Sequence, residues 1–391
     1  MQNVYVIDSR RTPFGAFGGA LSAVPAPELA AGVVREILQA TGTEPHEIQE
    51  FIAGQVLSGG AGQAPARQAI RRAGLPDSVH AMTVNKVCGS GLKALIVGAR
   101  SIALGEAEMA LAGGMENMSL TPHALPQARF GLRMGNASSV DLMLHDALTD
   151  PYSGRHMGEI AEALNAELGI SRKEQDAWAI RSYTRAQEAV GNGRFAEEIV
   201  PVQIASKKET VTVDADEEPF RVNFDKITAL RPVFSKEGTI TAANASTIND
   251  GAAFALLAGE EAVQRRGLQP EGRLVAYATH STHPDHFPLA PVGAIKKVCA
   301  RAGLEPKEIG LFEINEAFAS VALMAIRRLD LDPERVNVNG GAVAIGHPVG
   351  ASGGRLVATL LKEMERRKER YGLATLCIGG GEAVSAIFER V

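Results

Sequence analysis

The sequence predicts an α/β fold in which two related halves flank an inserted loop domain. Short apolar runs bounded by glycine, among them Met109 to Ala112 and Ala374 to Ile378, alternate with helical patterns of about three to four turns. The order of predicted elements in one part of the chain recurs in another, and a central stretch lacks that repeat. This combination indicates α/β layering, with the two halves packed as a pseudo-dimer around a shared cleft.

The repeat can be read directly from the sequence. Val33 to Val56 reads VVREILQATGTEPHEIQEFIAGQV, and Ala294 to Phe318 reads AIKKVCARAGLEPKEIGLFEINEAF. Each segment has an amphipathic helix, a glycine, the motif Glu-Pro-x-Glu-Ile and an apolar strand. Two later pairs continue the match: CGSGLKALIVGA from Cys88 with GASGGRLVATLL from Gly350, and ALAGGMENMS from Ala110 with TLCIGGGEAVSA from Thr375. Each half is therefore predicted to carry the same helices and strands.

These patterns divide the chain into a first half, an insertion and a second half. The predicted ranges are residues 1–118, 119–249 and 250–391. The insertion holds predicted helices over Gly158 to Gly169 and Arg172 to Gly191, and polar strand-like segments around Val200 to Val213. Because it interrupts the repeat, we expect the insertion to cover the cleft between the halves.

Length and composition bear on the class of protein. With 391 residues and 45% hydrophobic side chains, the chain has enough apolar material for a core without disulfides or metal. A formal net charge of −5, without a block of Lys and Arg, argues against nucleic-acid binding. The sequence shows no cluster with metal-ligand spacing. We therefore expect no metal, no resident cofactor and no nucleic-acid partner.

The same inspection predicts a cytoplasmic protein that does not bind membranes. Cys88, Cys299 and Cys377 are too few and too scattered for a disulfide framework, which fits a reducing compartment. The strand-like run before Arg10 and Arg11, and the prolines after them, make a poor signal peptide. Uninterrupted apolar segments stay below membrane-spanning length.

Cys88 is the first candidate for a catalytic group. It lies in TVNKVCGSGL, where a β-branched run gives way to glycines and then to the helical pattern Leu92 to Ala103. A cysteine at a strand-to-helix junction lies near free backbone N–H groups and the positive end of the helix dipole, which stabilise a thiolate. Taken alone, the residue is explained equally well as a small buried side chain at a tight turn.

Two further glycine-rich stretches contain candidate acid–base groups. His347 lies between a glycine and a proline on a loop that opens a helix, which suits a general base, although a structural histidine is the alternative. The repeat favours the base, because it places His347 near the position of Cys88 in the other half. Cys377, aligned with Gly113 in the repeat, precedes Gly379 in CIGGG, whose backbone N–H groups could bind a developing oxyanion.

Two other residues have simpler explanations. Asn315, in EINEAFA after an apolar strand, would point into the same cleft, but the bare motif is also typical of a helix cap. Cys299, in KKVCARAG, lies in the middle of a predicted helix, where core packing explains it best.

The four stretches together resemble the thiolase family, and the resemblance runs from Met1 to Val391. Thiolases carry a nucleophilic cysteine in a V-N-x-x-C-[GS]-S-G-L run, an N-E-A-F segment, a G-G-A-x-A-x-G-H-P-x-G-A-S-G block and a terminal C-x-G-G-G, and all four occur here in that order. The resemblance implies a duplicated five-layered α-β-α-β-α fold with an inserted loop domain. It also implies an acyl-CoA acyltransferase that forms a homotetramer or a homodimer.

The resemblance further implies a division of roles. His347 would take the proton of Cys88, whose thiolate attacks an acyl-CoA carbonyl and expels CoA. Cys377 would remove an α-proton from a second acyl-CoA, and the carbanion would attack the thioester. The backbone N–H groups of Cys88 and Gly379 would bind one oxyanion, and His347 with a water held by Asn315 would bind the other. Coenzyme A enters as a thioester substrate and not as a cofactor.

The resemblance also implies a binding tunnel for CoA. The segments RHMG from Arg155 and NASTINDG from Asn244 border the pantetheine tunnel in this family. Arg221, in the insertion, is the candidate contact for the adenosine 3′-phosphate. The residues implied for the tunnel are Leu148, His156, Met157, Phe234, Ala242, Ser246, Ala317 and Phe318.

The chain-length preference has two interpretations. The pair His156 and Met157 resembles short-chain, acetoacetyl-CoA-type thiolases, which favours two acetyl-CoA molecules as the condensing pair. The alternative is a broader-range degradative 3-ketoacyl-CoA thiolase of fatty-acid β-oxidation. The run DHFPLAP, from Asp285 to Pro291, departs from the methionine-containing run common in short-chain members.

Other classes fit the residues less well. Ketoacyl synthases and chalcone-synthase-like enzymes use Cys-His-His or Cys-His-Asn sets without a second catalytic cysteine such as Cys377. A thiol hydrolase also gives Cys377 no role. A non-catalytic acyl-CoA or sterol-carrier binding module predicts loss of Cys88 or His347, and both are present.

Overall fold

The computed structural model describes residues 2–205 and 210–391, and its strands and helices confirm the predicted α/β class. The strands are β1 (Val4–Arg11), β2 (Gly15–Ala16), β3 (Glu50–Gly54), β4 (His80–Val84), β5 (Met109–Asn117), β6 (His123–Ala124), β7 (Val140–Asp141), β8 (Val202–Ala205), β9 (Thr210–Val213), β10 (Asn249–Gly259), β11 (Gly272–Ser281), β12 (Leu311–Ile314), β13 (Tyr371–Ile378) and β14 (Glu382–Glu389). The α-helices are α1 (Ala26–Thr41), α2 (Pro65–Ala73), α3 (Ser90–Leu104), α4 (Met157–Leu168), α5 (Arg172–Gly191), α6 (Glu260–Arg266), α7 (Ala290–Ala302), α8 (Ala319–Leu329), α9 (Ala342–Ile345) and α10 (Ser352–Arg367).

The main sheet is duplicated about its centre. Its strand order is β12-β13-β14-β11-β1-β10-β5-β3-β4. On one side of the β11–β1 pair, β5, β3 and β4 run parallel to one another. On the other side β13 and β12 are parallel, and Phe312 of β12 forms a parallel bridge with Val336 at the place where β4 lies in the first half. This symmetry confirms that the halves share one order of elements.

The strand register corrects one detail of the repeat. The pairing of β3 with β5 and of β12 with β13 makes Cys377 the counterpart of Met115, not of Gly113. The glycines misled the sequence comparison because they have different positions in the two halves. Gly113 and its neighbour lie inside β5, whereas the glycines after Cys377 form the turn between β13 and β14.

The layers follow the predicted α-β-α-β-α order. Helices α1 and α2 pack on the outer face of the first half, and α7 and α8 pack on the outer face of the second. Between the halves, α3 and α10 pack against each other and against strands of both sides. The two central helices meet through glycines, because a Cβ atom at Gly353 would lie 2.1 Å from the backbone nitrogen of Leu92. The N-termini of α3 and α10 are thereby held side by side.

Helix α3 accounts for most of one long apolar stretch of the chain. Within the described residues, the window Val87–Leu104 is long and apolar enough to cross a membrane by length and composition. In the fold, 61% of this window is buried. The window therefore serves as a core helix between two layers.

The insertion contains the helices predicted for it. Helix α5 has the predicted bounds, and α4 is displaced from its prediction by one residue. Strands β8 and β9 occupy the polar run predicted around Val200 to Val213, of which residues 206–209 lie outside the described residues. Strand β10, at the end of the insertion, pairs with β1 and β5 and thus joins the sheet of the first half. The predicted boundary at residue 250 gives this strand to the second half, and the domain boundaries themselves stay a prediction.

A buried ion-pair cluster joins the insertion to the first half. Arg11 is fully buried, with its Nε atom 2.6 Å from Glu198 and its Nη1 atom 2.6 Å from Asp216. A buried guanidinium needs such partners to offset its desolvation. Because Arg11 lies in the core, it has a structural role.

Candidate active site

A cavity of about 220 Å³ lies where the two halves and the insertion meet. Four of the five predicted catalytic residues line it: Cys88, His347, Cys377 and Gly379. Most of the predicted tunnel residues line it as well, namely Leu148, His156, Met157, Phe234, Ser246, Ala317 and Phe318. The structure therefore brings together side chains that are far apart in the sequence.

Three predicted site residues lie elsewhere. Asn315 is buried behind the cavity wall, with its Nδ2 atom 3.4 Å from Nε2 of His347. Ala242 is exposed, and the cavity wall is formed by the residues that follow it. Arg221 is an exposed side chain 3.8 Å from Glu218 and does not line the cavity.

The turn that carries Cys88 is tightly constrained. Strand β4 ends at Val84 and α3 begins at Ser90, so Cys88 lies on the connection between them. The preceding residue, Val87, has φ of 44°, which is strained for a β-branched side chain. Asn85 Oδ1 accepts the Val87 N–H at 2.9 Å, and the Ser90 hydroxyl donates to the Val87 carbonyl at 2.6 Å. These bonds hold the turn in its unusual conformation.

The Cys88 thiol is protonated at neutral pH in this environment. Burial raises its pKa to about 11, although the backbone N–H groups of Cys88 and Gly379 lower it and the Glu116 charge adds to the rise. The helix dipole was expected to stabilise a thiolate here. Burial outweighs it, because Cys88 lies two residues before α3 and its side chain is only partly exposed, at the cavity. Attack on a carbonyl therefore requires a base that removes the proton.

His347 has the protonation state of such a base. Its Nδ1 atom lies 2.5 Å from the Ser352 hydroxyl, which itself donates to the Pro348 carbonyl at 2.9 Å. Since the hydroxyl proton is used there, Nδ1 must carry the imidazole proton and donate it to Ser352. Burial, followed by the positive charge of Arg355, lowers the pKa of His347 to about 3. The neutral ring thus has an unprotonated Nε2, with Asn315 Nδ2 3.4 Å away, that can accept a proton.

The loop that carries Asn315 is anchored by the glutamate next to it. Buried Glu316 accepts hydrogen bonds from Trp178 Nε1 at 2.8 Å, from the Ser182 hydroxyl at 2.8 Å and from Asn337 Nδ2 at 2.7 Å. Trp178 and Ser182 belong to α5 of the insertion. The insertion therefore helps to fix Asn315 beside the imidazole.

Cys377 provides a second buried thiol at the end of β13. Burial, and then the neighbouring Cys88, raise its pKa well above the ordinary value. Gly380 and Gly381, in the turn after it, have φ of 90° and 89°, which only glycine adopts readily. The Gly379 N–H, just before this turn, lowers the pKa of Cys88 and therefore lies close to its sulfur. The two backbone N–H groups at Cys88 can therefore hold an oxyanion.

Aromatic side chains form the apolar wall of the cavity. Phe234 stacks on His156 with ring centroids 4.8 Å apart and meets Phe318 edge-on at 6.1 Å. Phe287 contacts Phe318 at 6.5 Å from the other side. Such a wall suits the apolar part of an acyl-pantetheine chain.

Several residues of the site were missed at the level of sequence. The lining residues that were not predicted individually are Met118, Ala147, Ala245, Thr247, Ile248, Phe287 and Val349, of which Ala245, Thr247 and Ile248 lie in the segment predicted to border the tunnel. Thr247 and Ile248 lie in the NASTINDG segment, and Phe287 lies in the unusual DHFPLAP run, so both segments carried a signal. For Ser352, the only signal in the sequence was its position in a glycine-rich stretch. Among the described residues, no group of three or more His, Cys, Asp or Glu is arranged to hold a metal ion.

Comparison with known proteins agrees with this geometry. Residues 4–261 match the family described as Thiolase, N-terminal domain, and residues 268–390 match Thiolase, C-terminal domain. The chain is 48% identical to an acetyl-CoA acetyltransferase of Pseudomonas aeruginosa over the full length of both. It is 47% identical to a probable acetyl-CoA acyltransferase of Staphylococcus aureus, again over both full lengths. The crystal structure of the Bacillus anthracis acetyl-CoA acetyltransferase superposes with a TM-score of 0.98 at 40% identity, covering 100% of this chain and 99% of that one.

Proposed function

This chain belongs to the thiolase family and is an acyltransferase, and from that premise we propose that it condenses two acetyl-CoA molecules to acetoacetyl-CoA and CoA. The observation that carries the proposal is the meeting of two thiols and one neutral imidazole in a single cavity, with two backbone N–H groups directed at the Cys88 sulfur. The names of the relatives from Pseudomonas aeruginosa and Bacillus anthracis support acetyl as the transferred group.

In the first step, Nε2 of His347 takes the proton of Cys88 while the sulfur attacks the acetyl-CoA carbonyl. The oxyanion of the tetrahedral intermediate lies between the N–H groups of Cys88 and Gly379. Its collapse expels the CoA thiolate, which leaves with the proton held by His347. The product is an acetyl thioester on Cys88.

In the second step, Cys377 acts as the carbon acid–base group. Cys377 first gives its proton to Nε2 of His347, and the resulting thiolate removes an α-proton from a second acetyl-CoA. The enolate oxygen then accepts hydrogen bonds from the protonated His347 and from a water bound to Asn315. The enolate carbon then attacks the Cys88 thioester, and the departing Cys88 sulfur takes the proton held by His347, which restores both thiols and the neutral imidazole. Because desolvation raises the pKa of both thiols, each is protonated at rest, and we expect each deprotonation to be coupled to substrate binding.

The binding of CoA is proposed along the apolar wall. His156, Met157, Phe234 and Phe318 support a pantetheine arm by their position in the cavity. Arg221 is proposed for the 3′-phosphate, because it is an exposed cation on the insertion that could reach a ligand at the protein surface. CoA is a substrate in this scheme, and the chain's own side chains carry the chemistry.

A cytoplasmic homo-oligomer, a tetramer or a dimer, is proposed as the working form in lipid metabolism. Exposed apolar side chains support association: Met134 and Phe130 in the insertion are 103% and 86% exposed, and Met82 is 53% exposed on the edge strand β4. Light scattering coupled to size exclusion measures the assembly. A monomer at micromolar concentration would contradict this part of the proposal.

The acyl-enzyme is the decisive test. The protein is incubated with acetyl-CoA, digested, and analysed for an acetyl group on the peptide that contains Cys88. A labelled Cys88 and CoA-dependent cleavage of acetoacetyl-CoA are the expected results. An unlabelled Cys88 would overturn the proposal.

A further inference from the structure

A fully buried carboxylate beneath the cavity joins the two catalytic loops. Glu116, near the end of β5, accepts backbone N–H groups from Val56 at 2.9 Å, from Leu57 at 3.1 Å and from Gly350 at 3.0 Å. Its Oε2 atom takes two of these bonds and Oε1 takes the third. One side chain thus satisfies donors from two segments that are remote in the sequence.

Each of these segments supports one of the reacting groups. Gly350 lies in the turn that follows His347 and leads into α10. Val56 and Leu57, together with Val349, form part of the apolar cluster against which the Cys88 side chain packs. Glu116 therefore fixes the backbone below the nucleophile and the backbone of the base at the same time.

The backbone around Glu116 is so closely packed that side chains larger than glycine do not fit at two nearby glycine positions. A Cβ atom at Gly114 would lie 1.9 Å from the Gly350 carbonyl oxygen. A Cβ atom at Gly350 would lie 2.7 Å from Oε2 of Glu116 and 2.8 Å from the Met115 carbonyl oxygen. A backbone N–H buried without an acceptor costs about 1 to 3 kcal/mol. The geometry therefore demands an acceptor with two oxygens at this position.

We propose that Glu116 is a positioning residue of the acyl transfer, which sets the separation between His347 and Cys88 by tying their supporting loops to one carboxylate. The inference rests on the proposed function, since it assigns these two residues to one proton transfer. Glu116 itself does not line the cavity. It acts through the backbone that it holds.

Two substitutions separate the position of the carboxylate from its charge. Glu116→Gln keeps the length but turns an N–H2 group toward at least one of the three donors. Glu116→Asp keeps the charge but shortens the reach. Glu162→Gln is the matched control, because Glu162 is also buried and also accepts backbone N–H groups, from Thr239 at 2.5 Å and Ile240 at 2.8 Å, away from the cavity wall.

Two measurements are made on each full-length variant. The first is the single-turnover rate of Cys88 acetylation by acetyl-CoA, with the dependence on acetyl-CoA concentration. Both Glu116 variants are expected to lose about tenfold to a hundredfold in this rate, while half-saturation changes by less than about twofold. The Glu162 variant is expected to keep the wild-type rate.

The second measurement is the pH dependence of Cys88 alkylation by iodoacetamide. Burial is the main cause of the raised Cys88 pKa, and the Glu116 charge adds to it. Burial raises the pKa of Glu116 itself to about 7, so its charge acts on Cys88 above that pH. Above about pH 7, Glu116→Gln should therefore alkylate faster, although it acetylates more slowly, whereas Glu116→Asp should keep the wild-type profile. A merely structural role predicts no such opposite change.

The outcomes are distinct. Wild-type acetylation in Glu116→Gln and Glu116→Asp, or a loss equal to that of Glu162→Gln, overturns the inference. If Glu116→Gln does not fold, the acetylation rate of Glu116→Asp decides alone by the same criterion. If wild-type Cys88 takes up no acetyl group, the proposed function fails. The alkylation profile then still reports on Glu116, and an unchanged profile in Glu116→Gln overturns its link to Cys88.

Discussion

The Nδ1 atom of His347 lies 2.5 Å from the hydroxyl of Ser352, at the start of the helix that the histidine loop opens. This contact decides which ring nitrogen carries the proton. Without it, the imidazole could rotate or change tautomer, and Nε2 would no longer be reserved as the acceptor. The tautomer of His347 that the proposed base requires thus depends on a residue that does not line the cavity.

Ser352→Ala should slow Cys88 acetylation by about tenfold to a hundredfold with little change in acetyl-CoA binding, because the base loses its orientation. Ser385→Ala is the control: Ser385 is a buried serine on β14 whose hydroxyl lies 2.7 Å from that of Thr375. The single-turnover acetylation rate measures the effect. Equal rates in the two variants would show that the Ser352 contact does not set the tautomer.

The two cysteines should have separable roles. Cys377→Ser is expected to acquire the acetyl group on Cys88 but to lose condensation, since the hydroxyl is a far weaker acid than the thiol. Cys88→Ala should lose both activities. Intact-mass measurement follows acetylation, and formation of acetoacetyl-CoA follows condensation. Loss of acetylation in both variants to the same extent would contradict the assigned roles.

The reactivity of Cys88 in the free protein should rise with pH without levelling off near the value of an ordinary cysteine. A pKa raised to about 11 keeps the thiol protonated, so the thiolate fraction at pH 7 is roughly a few hundredfold below that of a free cysteine. Iodoacetamide alkylation in the Cys377→Ser background, from pH 6 to about pH 10, tests this. A plateau near pH 8.5 would contradict it.

The raised pKa of Cys88 also makes the free energy of unfolding depend on pH in a defined direction. The folded pKa of the Cys88 thiol lies above its unfolded value, so its contribution to the free energy of unfolding is present below the unfolded pKa. It is lost as pH rises through about 11. Urea unfolding of the wild type and of Cys88→Ala at several alkaline pH values should therefore converge as pH increases.

The wall residue Phe287 should limit the length of the acyl chain. It is buried and packs against Phe318 at the cavity, so Phe287→Ala opens space beside the apolar wall. Thiolysis of longer 3-ketoacyl-CoA thioesters should gain relative to acetoacetyl-CoA by about tenfold in the kcat/KM ratio, the scale of one or two added methylenes. Phe220→Ala, at an exposed position, should leave the ratio unchanged. An unaltered ratio in Phe287→Ala would exclude this wall as the determinant.

The glycine contact between the central helices gives a prediction for stability. Gly353→Ala places a Cβ atom 2.1 Å from the Leu92 backbone nitrogen, so the helices must separate, at a cost of about 1 to 3 kcal/mol or more. Gly32→Ala in α1 meets nothing within 4 Å and should stabilise the protein by about 0.5 to 1 kcal/mol. Thermal unfolding should shift in opposite directions for the two variants. A shift in the same direction would refute the contact.

Much of the architecture could be predicted because local sequence patterns specify it. The helix–glycine–Glu-Pro-x-Glu-Ile–strand unit occurs twice, and its two copies fold into matching parts of the sheet. The glycine-rich loops likewise marked Cys88, His347 and Cys377, which share one cavity. Motifs of this kind carry their information in consecutive residues, so one sequence suffices to read them.

Other features depend on contacts that no local pattern reveals. Glu116 is one carboxylate in a strand, and its three backbone donors come from segments remote from it in the chain. The raised pKa of Cys88 is set by burial, whereas the turn alone suggested the opposite shift. The alignment of Cys377 with Gly113 was wrong because it superimposed the glycine runs of the two halves. The strand register instead pairs Cys377 with Met115.

The proposed oxyanion donors at Cys88 come from two places, its own N–H and that of Gly379 after β13. During translation the nucleophile emerges from the ribosome long before the base, the second thiol and this donor. A nascent chain that has folded only its first half carries Cys88 without any means to activate it. The proposed site is therefore complete only when the β13–β14 hairpin lies beside Cys88, and a chain without that hairpin is not expected to form the acyl adduct.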